Sequence, residues 1–255
     1  MNVLRGMLLA ILPRAIHPAL TRLYFKIRSP FYLGSKVHCP CCDRTFRKFA
    51  RFEQSMQCPR CGSLERQRLL WIYLNSETDL FQRPLKLLHF APEAELKPRF
   101  IRCENIQYTT ADLYSPLVDV RTDIMDLVFE DCSFDVALCS HVLDHVDDDR
   151  KAMQEIARVL KPTGWLILQS SVDTSRNETK EDPQAITPQQ RERAYGRSDL
   201  ARLYGLDIVQ RLTEAGFEVR SVDYASQLSA EVVRRSGLED RTGIYHCTKK
   251  LLPES

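Results

Sequence analysis

The run Phe134-Asp135-Val136-Ala137-Leu138-Cys139-Ser140, then Asp149 to Leu160, then Trp165-Leu166-Ile167-Leu168-Gln169, decides the fold. The first and last runs are short and almost continuously apolar, as strands covered on both faces are. Between them Met153, Ile156, Ala157 and Leu160 recur at helical spacing, so this segment reads as an amphipathic helix. Lys161-Pro162-Thr163-Gly164 ends it, since proline cannot donate to a continuing helix and glycine accommodates the turn. Strand, helix and strand in this order make a parallel unit.

The same alternation extends in both directions. Leu85-Lys86-Leu87-Leu88-His89-Phe90 reads as a first strand, and Ala94 to Arg102 as a short helix interrupted by Pro98. Ile106 to Thr110 is a second strand ending at Ala111-Asp112, and Val118 to Arg121 a third ending near Asp123. Downstream, Asp207 caps a helix that reaches Ala215 and stops at Gly216; Phe217 to Val222 and Gly243 to Thr248 supply two more strands, the last antiparallel. The expectation is an α/β chain with a Rossmann-like sheet of seven strands. Ligands of such sheets lie beyond the carboxyl ends of the strands. That rule gathers His89 to Glu93, Asp112, Asp123 and Ser140 to His145 around one crevice. The polar stretch Thr174 to Arg197, with no apolar periodicity, overhangs it. There Arg191, Arg193 and Arg197 with Tyr195 are either a solvated face or a clamp for an anionic substrate.

A second feature stands near the front. Cys39 and Cys42, and again Cys58 and Cys61, are each spaced C-x2-C, with fifteen residues between the pairs. Four soft thiolates presented by two tight turns suit a structural Zn2+, whose closed tetrahedral shell leaves no open position for catalysis. Cys41 reads as a spare packing thiol, and Cys103, Cys132, Cys139 and Cys247 as small buried apolar residues. The domain reading is a basic amphipathic segment at 1–36, a zinc-ribbon module with its following helix at 37–74, and the sheet domain at 85–250. Ser63 is expected to cap the helix after the ribbon, and Glu65, Arg66 and Arg68 to form an ion network on its face.

Free thiols outside the four-cysteine set fit a reducing, cytoplasmic setting. No apolar run is long enough to span a bilayer. Met1 to Leu12 is apolar, but its core is short and Pro13-Arg14 stands where a cleavage site needs small residues, which argues against a signal peptide. A basic amphipathic segment resting on a membrane or on the zinc module fits better. The net charge of +2 hides an asymmetry: Met1 to Arg68 holds thirteen Lys and Arg against three acids. RNA, anionic lipid and anionic glycan all suit such a head, and so does a plain solvated face.

The run from Asp112 to Gln169 resembles class I S-adenosylmethionine (SAM)-dependent methyltransferases of the small-molecule branch. The residues that carry it are Thr122 to Leu127, Phe129 to Asp135, Ser140 to Val146 and Arg158 to Gly164. The pairing with an N-terminal cysteine module, including Cys61-Gly62-Ser63-Leu64-Glu65-Arg66, resembles a bacterial group of zinc-ribbon methyltransferases. The resemblance implies SAM as cofactor and methyl transfer to an oxygen or nitrogen nucleophile of a small or glycan-like acceptor. It implies cofactor contacts from His89, Phe90, Ala91, Glu93, Asp112, Asp123, Ile124 and Ser140, with Asp112 on the ribose and Asp123 on the adenine. It places His141 and His145 opposite the transferred methyl, as base candidates or as groups that only shape the pocket. The family pattern has an acid and a glycine-rich turn after the first strand; here His89-Phe90-Ala91-Pro92-Glu93 contains neither glycine nor the acid at its first position. An RNA methyltransferase using the basic head, and a non-catalytic adaptor with a degenerate cofactor loop, are the alternatives.

Overall fold

The computed structural model describes residues 17–238 and 243–250; the apolar run at Met1 to Leu12 lies outside them. In chain order the elements are α1 (His17–Arg28), a 3-10 turn (Ser29–Tyr32), β1 (Val37–Cys39), β2 (Arg44–Phe46), β3 (Ala50–Phe52), β4 (Ser55–Gln57) and α2 (Glu65–Ser76). Then come β5 (Leu85–Phe90), α3 (Lys97–Phe100), β6 (Ile106–Asp112), β7 (Val120–Arg121), β8 (Phe134–Ser140), α4 (Asp149–Val159) and β9 (Leu160–Gln169). The chain closes with α5 (Pro188–Tyr195), α6 (Ile208–Glu214), β10 (Phe217–Val222), a 3-10 turn (Ala225–Gln227), α7 (Ala230–Ser236) and β11 (Ile244–Lys249).

These elements form two compact units. One comprises Met1–Glu77, Glu93–Arg102 and Ala225–Asp240; the other comprises Thr78–Pro92, Cys103–Tyr224 and Arg241–Ser255. The first unit is therefore discontinuous in sequence. Its two hairpins, β1–β2 and β3–β4, are antiparallel and only three residues per strand. Strands this short carry little stability of their own. α7 lies against β1, and Trp71 of α2 packs on Phe100 of α3 with ring centroids 5.6 Å apart.

The second unit is built on a seven-stranded sheet in the order β10-β11-β9-β8-β5-β6-β7. β5 pairs in parallel with both β6 and β8, so the strand order reverses around it. β11 runs antiparallel to β9 and to β10. One face buries Leu88, Ala137, Cys139, Leu166 and Leu168 against Met153 and Ile156 of α4 and Ile208 and Leu212 of α6. The alternate residues Leu87, Val136, Leu138 and Ile167 are equally buried, as strands covered on both faces require.

Two helices went unread in the sequence because they carry almost no apolar face. α5 buries only Tyr195; its signals are local, a reciprocal Thr187/Gln190 cap and left-handed Gly196 at its end. α7 is framed in the same way by Ser229 and Gly237. Cys132 is exposed rather than buried, and Asp207 does not cap α6 with its side chain. Its carboxylate instead accepts from the Thr179 hydroxyl and from Arg211 Nε.

A buried charge cluster ties the 170–207 stretch to the loop after β8. Arg202, 2% exposed, donates to the carbonyls of Leu143, Val146 and Asp147 and to Glu181. Arg211 donates to Asp149 and Glu181, and the Tyr204 hydroxyl to Asp149. Arg176 and Glu178 backbone sits so close to Gly205 that a Cβ there would lie 2.6 Å from the Glu178 carbonyl. Removing one partner of such a cluster leaves a buried charge uncompensated. Asp149→Ala is expected to lower unfolding stability by about 3 kcal/mol or more, read by chemical denaturation; a loss within experimental error would mean the cluster is hydrated in solution.

Candidate functional site

The first unit contains one cluster of metal-ligating side chains among the described residues: Cys39, Cys42, Cys58 and Cys61, whose sulfurs all lie within 4.8 Å of one another. Cys39–Cys61 and Cys42–Cys58 are both 3.7 Å apart. A tetrahedron of sulfurs about 2.3 Å from a central Zn2+ has edges of about 3.8 Å, so the set fits that ion. The knuckle amides point inward: the N–H groups of Arg60 and Cys61 donate to Cys58 Sγ. Ser63 does not cap α2, because its hydroxyl faces the sulfurs of Cys39 (3.2 Å) and Cys61 (3.3 Å). Gln67 serves the helix start instead, its side-chain oxygen accepting from Leu64 N–H. Cys41 stands outside the ligand set, bonded to the Gln67 carbonyl, and burial pushes its thiol up.

Arg68 is fully buried rather than part of a surface ion network. Its guanidinium donates to the carbonyls of Met56, Ser63, Ser236 and Gly237 and stacks 4.1 Å from the Phe49 ring centroid. Burial pulls its pKa down, while the Cys39 and Cys58 sulfurs and Glu65 act in the opposite direction. Four thiolates around a divalent cation would leave a net negative charge, which would stabilise the buried Arg68 guanidinium.

In the second unit, most of the remaining sequence candidates lie at or just after the carboxyl ends of β5, β6, β7 and β8. Ala91, directly after β5, adopts φ 43°, and His141, directly after β8, adopts φ 52°. Non-glycine residues in the left-handed region are uncommon and cluster at functional turns. At Ala91 the chain thus makes with alanine the kind of turn for which glycine is the usual choice. Pro92 follows it within the same unit, whereas Glu93 belongs to the first unit, where its carbonyl accepts from Leu96 and Lys97. His89 is fully buried and bonded through Nδ1 to the Tyr108 hydroxyl at 2.9 Å. Phe90 and Ile124 are members of the apolar core.

Two strand-end carboxylates are held alike. Asp112 Oδ1 accepts from the amides of Tyr114 and Ser115, both at 2.7 Å, and Asp123 Oδ1 accepts from Met125 N–H at 2.8 Å. Each side chain is thereby oriented by its own loop, and the second oxygen of each has no partner among the described residues. A free carboxylate oxygen is the acceptor that a ribose hydroxyl or an exocyclic amine needs, so the chemistry of Asp112 and Asp123 is compatible with SAM.

The loop after β8 holds three more candidates. Ser140 Oγ donates to Gln169 Oε1 at 3.3 Å. The His141 amide donates to the Gln169 carbonyl, and its Nδ1 lies 3.9 Å from Asp144 Oδ2. His141 Nε2 is buried without any hydrogen-bond partner among the described residues. An unpaired buried nitrogen costs about 1–3 kcal/mol, and it is the kind of group that a ligand satisfies. His145 is engaged differently, its Nδ1 lying 2.7 Å from the Asp199 carbonyl. Of the clamp candidates, Arg191 pairs with Asp147 and Arg197 with Asp199, while Tyr195 accepts from Asp182 N–H; Arg193 is exposed. Arg202, which fixes this loop through three carbonyls, was not singled out in the sequence. Its one signal there was an arginine between apolar residues in Leu200-Ala201-Arg202-Leu203-Tyr204.

Residues 93–168 match the family described as a methyltransferase domain. Among curated relatives, "Putative methyltransferase ECU09_1500" of Encephalitozoon cuniculi is 34% identical over 109 residues, covering 39% of this chain and 52% of that one. "O-methyltransferase resE" of Aspergillus sclerotiorum is 58% identical over 44 residues, 17% of each chain. The chain thus spans about half or less of the curated relatives it matches. The crystal structure of an S-adenosylmethionine-dependent methyltransferase from Mesorhizobium loti superposes with a TM-score of 0.50 at 15% identity, covering 73% of this chain and all of that one.

Cys58→Ser removes one corner of the sulfur tetrahedron. Metal binding of this type contributes on the order of 10 kcal/mol to folding such a module. The variant is expected to lose bound zinc, measured by elemental analysis, and to expose the first unit to limited proteolysis; full zinc content with unchanged protection would remove Cys58 from the ligand set.

Proposed function

We propose that this chain, which carries a class I SAM-dependent methyltransferase domain, transfers a methyl group to an oxygen or nitrogen nucleophile of a small acceptor. The observation that carries the reading is the pair of loop-anchored carboxylates, Asp112 and Asp123, at neighbouring strand ends beside the strand-order reversal. Bound SAM supplies an electrophilic methyl on a sulfonium. Asp112 would accept from the ribose hydroxyls and Asp123 from the adenine amino group, and the partly accessible edge of Ile124 would border the ring. The turn at Ala91 after β5 would face the cofactor, and Ser140 would line the neighbouring strand end.

His141 is the residue best suited to the acceptor. Its Nε2 can receive the hydrogen bond of an attacking hydroxyl or amine and take up the proton shed as the new bond forms. Asp144, itself bonded to the Ser170 hydroxyl, stands 3.9 Å away on the Nδ1 side of the ring and leaves Nε2 facing the acceptor. His145 is a shaping group, since its bond to Asp199 holds the overhanging segment to the loop. Zinc serves the first unit as a structural ion, because four cysteines complete its shell.

Ligand binding raises the melting temperature in proportion to affinity and concentration. With SAM at fixed concentration, Asp112→Ala is expected to abolish most of the cofactor-induced shift, corresponding to at least about a tenfold weaker affinity, or 1.4 kcal/mol. A shift equal to that of the unaltered protein would show that the ribose acceptor lies elsewhere.

A further inference from the structure

Among the described residues, four of the six exposed large apolar side chains of the first unit lie in one short stretch, Ile101 and Val232 being the others. Leu23 (52% exposed), Ile27 (62%), Phe31 (72%) and Leu33 (71%) follow one another within eleven residues. Leu23 and Ile27 are four apart on α1 and share one face. The opposite face is committed: Phe25 is buried, its ring so close to Gly62 that a Cβ there would lie 2.6 Å away. Arg28 is likewise buried, bonded to Gln57 and Tyr24. α1 is thus pinned to the cysteine knuckle by one side while presenting aliphatic side chains on the other. Charge follows the same pattern. No acidic residue occurs before Asp43. Lys26 and Lys36 flank the patch, both exposed and without an ion pair among the described residues.

From this arrangement we infer that the α1 face of the zinc unit docks on an anionic lipid surface. Aliphatic side chains set in a basic frame partition into the headgroup–acyl boundary, and lysines gain from anionic headgroups. A nucleic acid would use the lysines but offers no hydrocarbon for Leu23, Ile27 and Leu33; base-stacking surfaces are built from aromatic rings. No helix among the described residues is long and apolar enough to cross a membrane, so the contact is peripheral. Docking by this face would carry the chain to acceptors at a membrane surface, and it stands whether or not the methyltransferase reading does.

The test is co-sedimentation of the full chain with phosphatidylcholine vesicles, with and without phosphatidylglycerol. Binding is expected only with phosphatidylglycerol and to weaken in high salt. Leu23→Glu with Ile27→Glu should lower the bound fraction at least about tenfold, with zinc content and melting temperature retained as controls of folding. Lys26→Glu with Lys36→Glu should remove the preference for the anionic lipid. Failure of the unaltered chain to bind, or equal binding by the Leu23/Ile27 variant, would overturn the proposal. Salt-sensitive retention on RNA that is lost with the lysine variant but not with the leucine–isoleucine variant would replace lipid by nucleic acid.

Discussion

The parallel pairing of β5 with both β6 and β8 is the constraint from which the second unit's chemistry follows. Because the sheet is continued in opposite directions from β5, the loops after β5 and β8 leave the sheet on different sides and diverge. Ala91 and His141 stand where these two loops begin, both in left-handed backbone, and Asp112 one strand further out. Hydrogen bonding inside the sheet fixes the register of the strand ends from which these residues project.

Loops are then held by buried arginines as well as by apolar packing. Arg202 satisfies three carbonyls of the loop after β8, and Arg68 four carbonyls drawn from β4, the knuckle and the end of α7. A guanidinium offers five donors in a rigid fork, which suits it to loops whose carbonyls have no strand partner. Each needs compensating negative charge: Glu181 and Asp149 for Arg202, and the cysteine sulfurs with Glu65 for Arg68. The cysteine sulfurs are thereby electrostatic neighbours of Arg68.

Much of this was legible in the sequence, for physical reasons. The continuous apolar runs of β5, β8 and β9 and the 3.6-residue period of α4 report burial directly, so the bounds of β5 and β8 were read to the residue, while β9 begins at Leu160 and takes in the stretch read as the helix stop. The cysteine spacing reports the tight turns that present thiolates. What stayed hidden depends on contacts remote in sequence. α5 and α7 bury too little to leave a period. Ser63 has the composition of a helix cap but is drawn to the sulfurs. Arg68 and Arg202 look like surface residues until the carbonyls they serve are in place. His141 was a candidate from its position alone; its unpaired Nε2 became visible only with the packing around it.

The most direct test of the account is an isothermal titration of the unaltered protein with SAM. The account predicts saturable binding of one molecule per chain, displaced by S-adenosylhomocysteine. The absence of heat and of competition at millimolar cofactor would contradict it, and would leave the strand-end carboxylates without their proposed ligand.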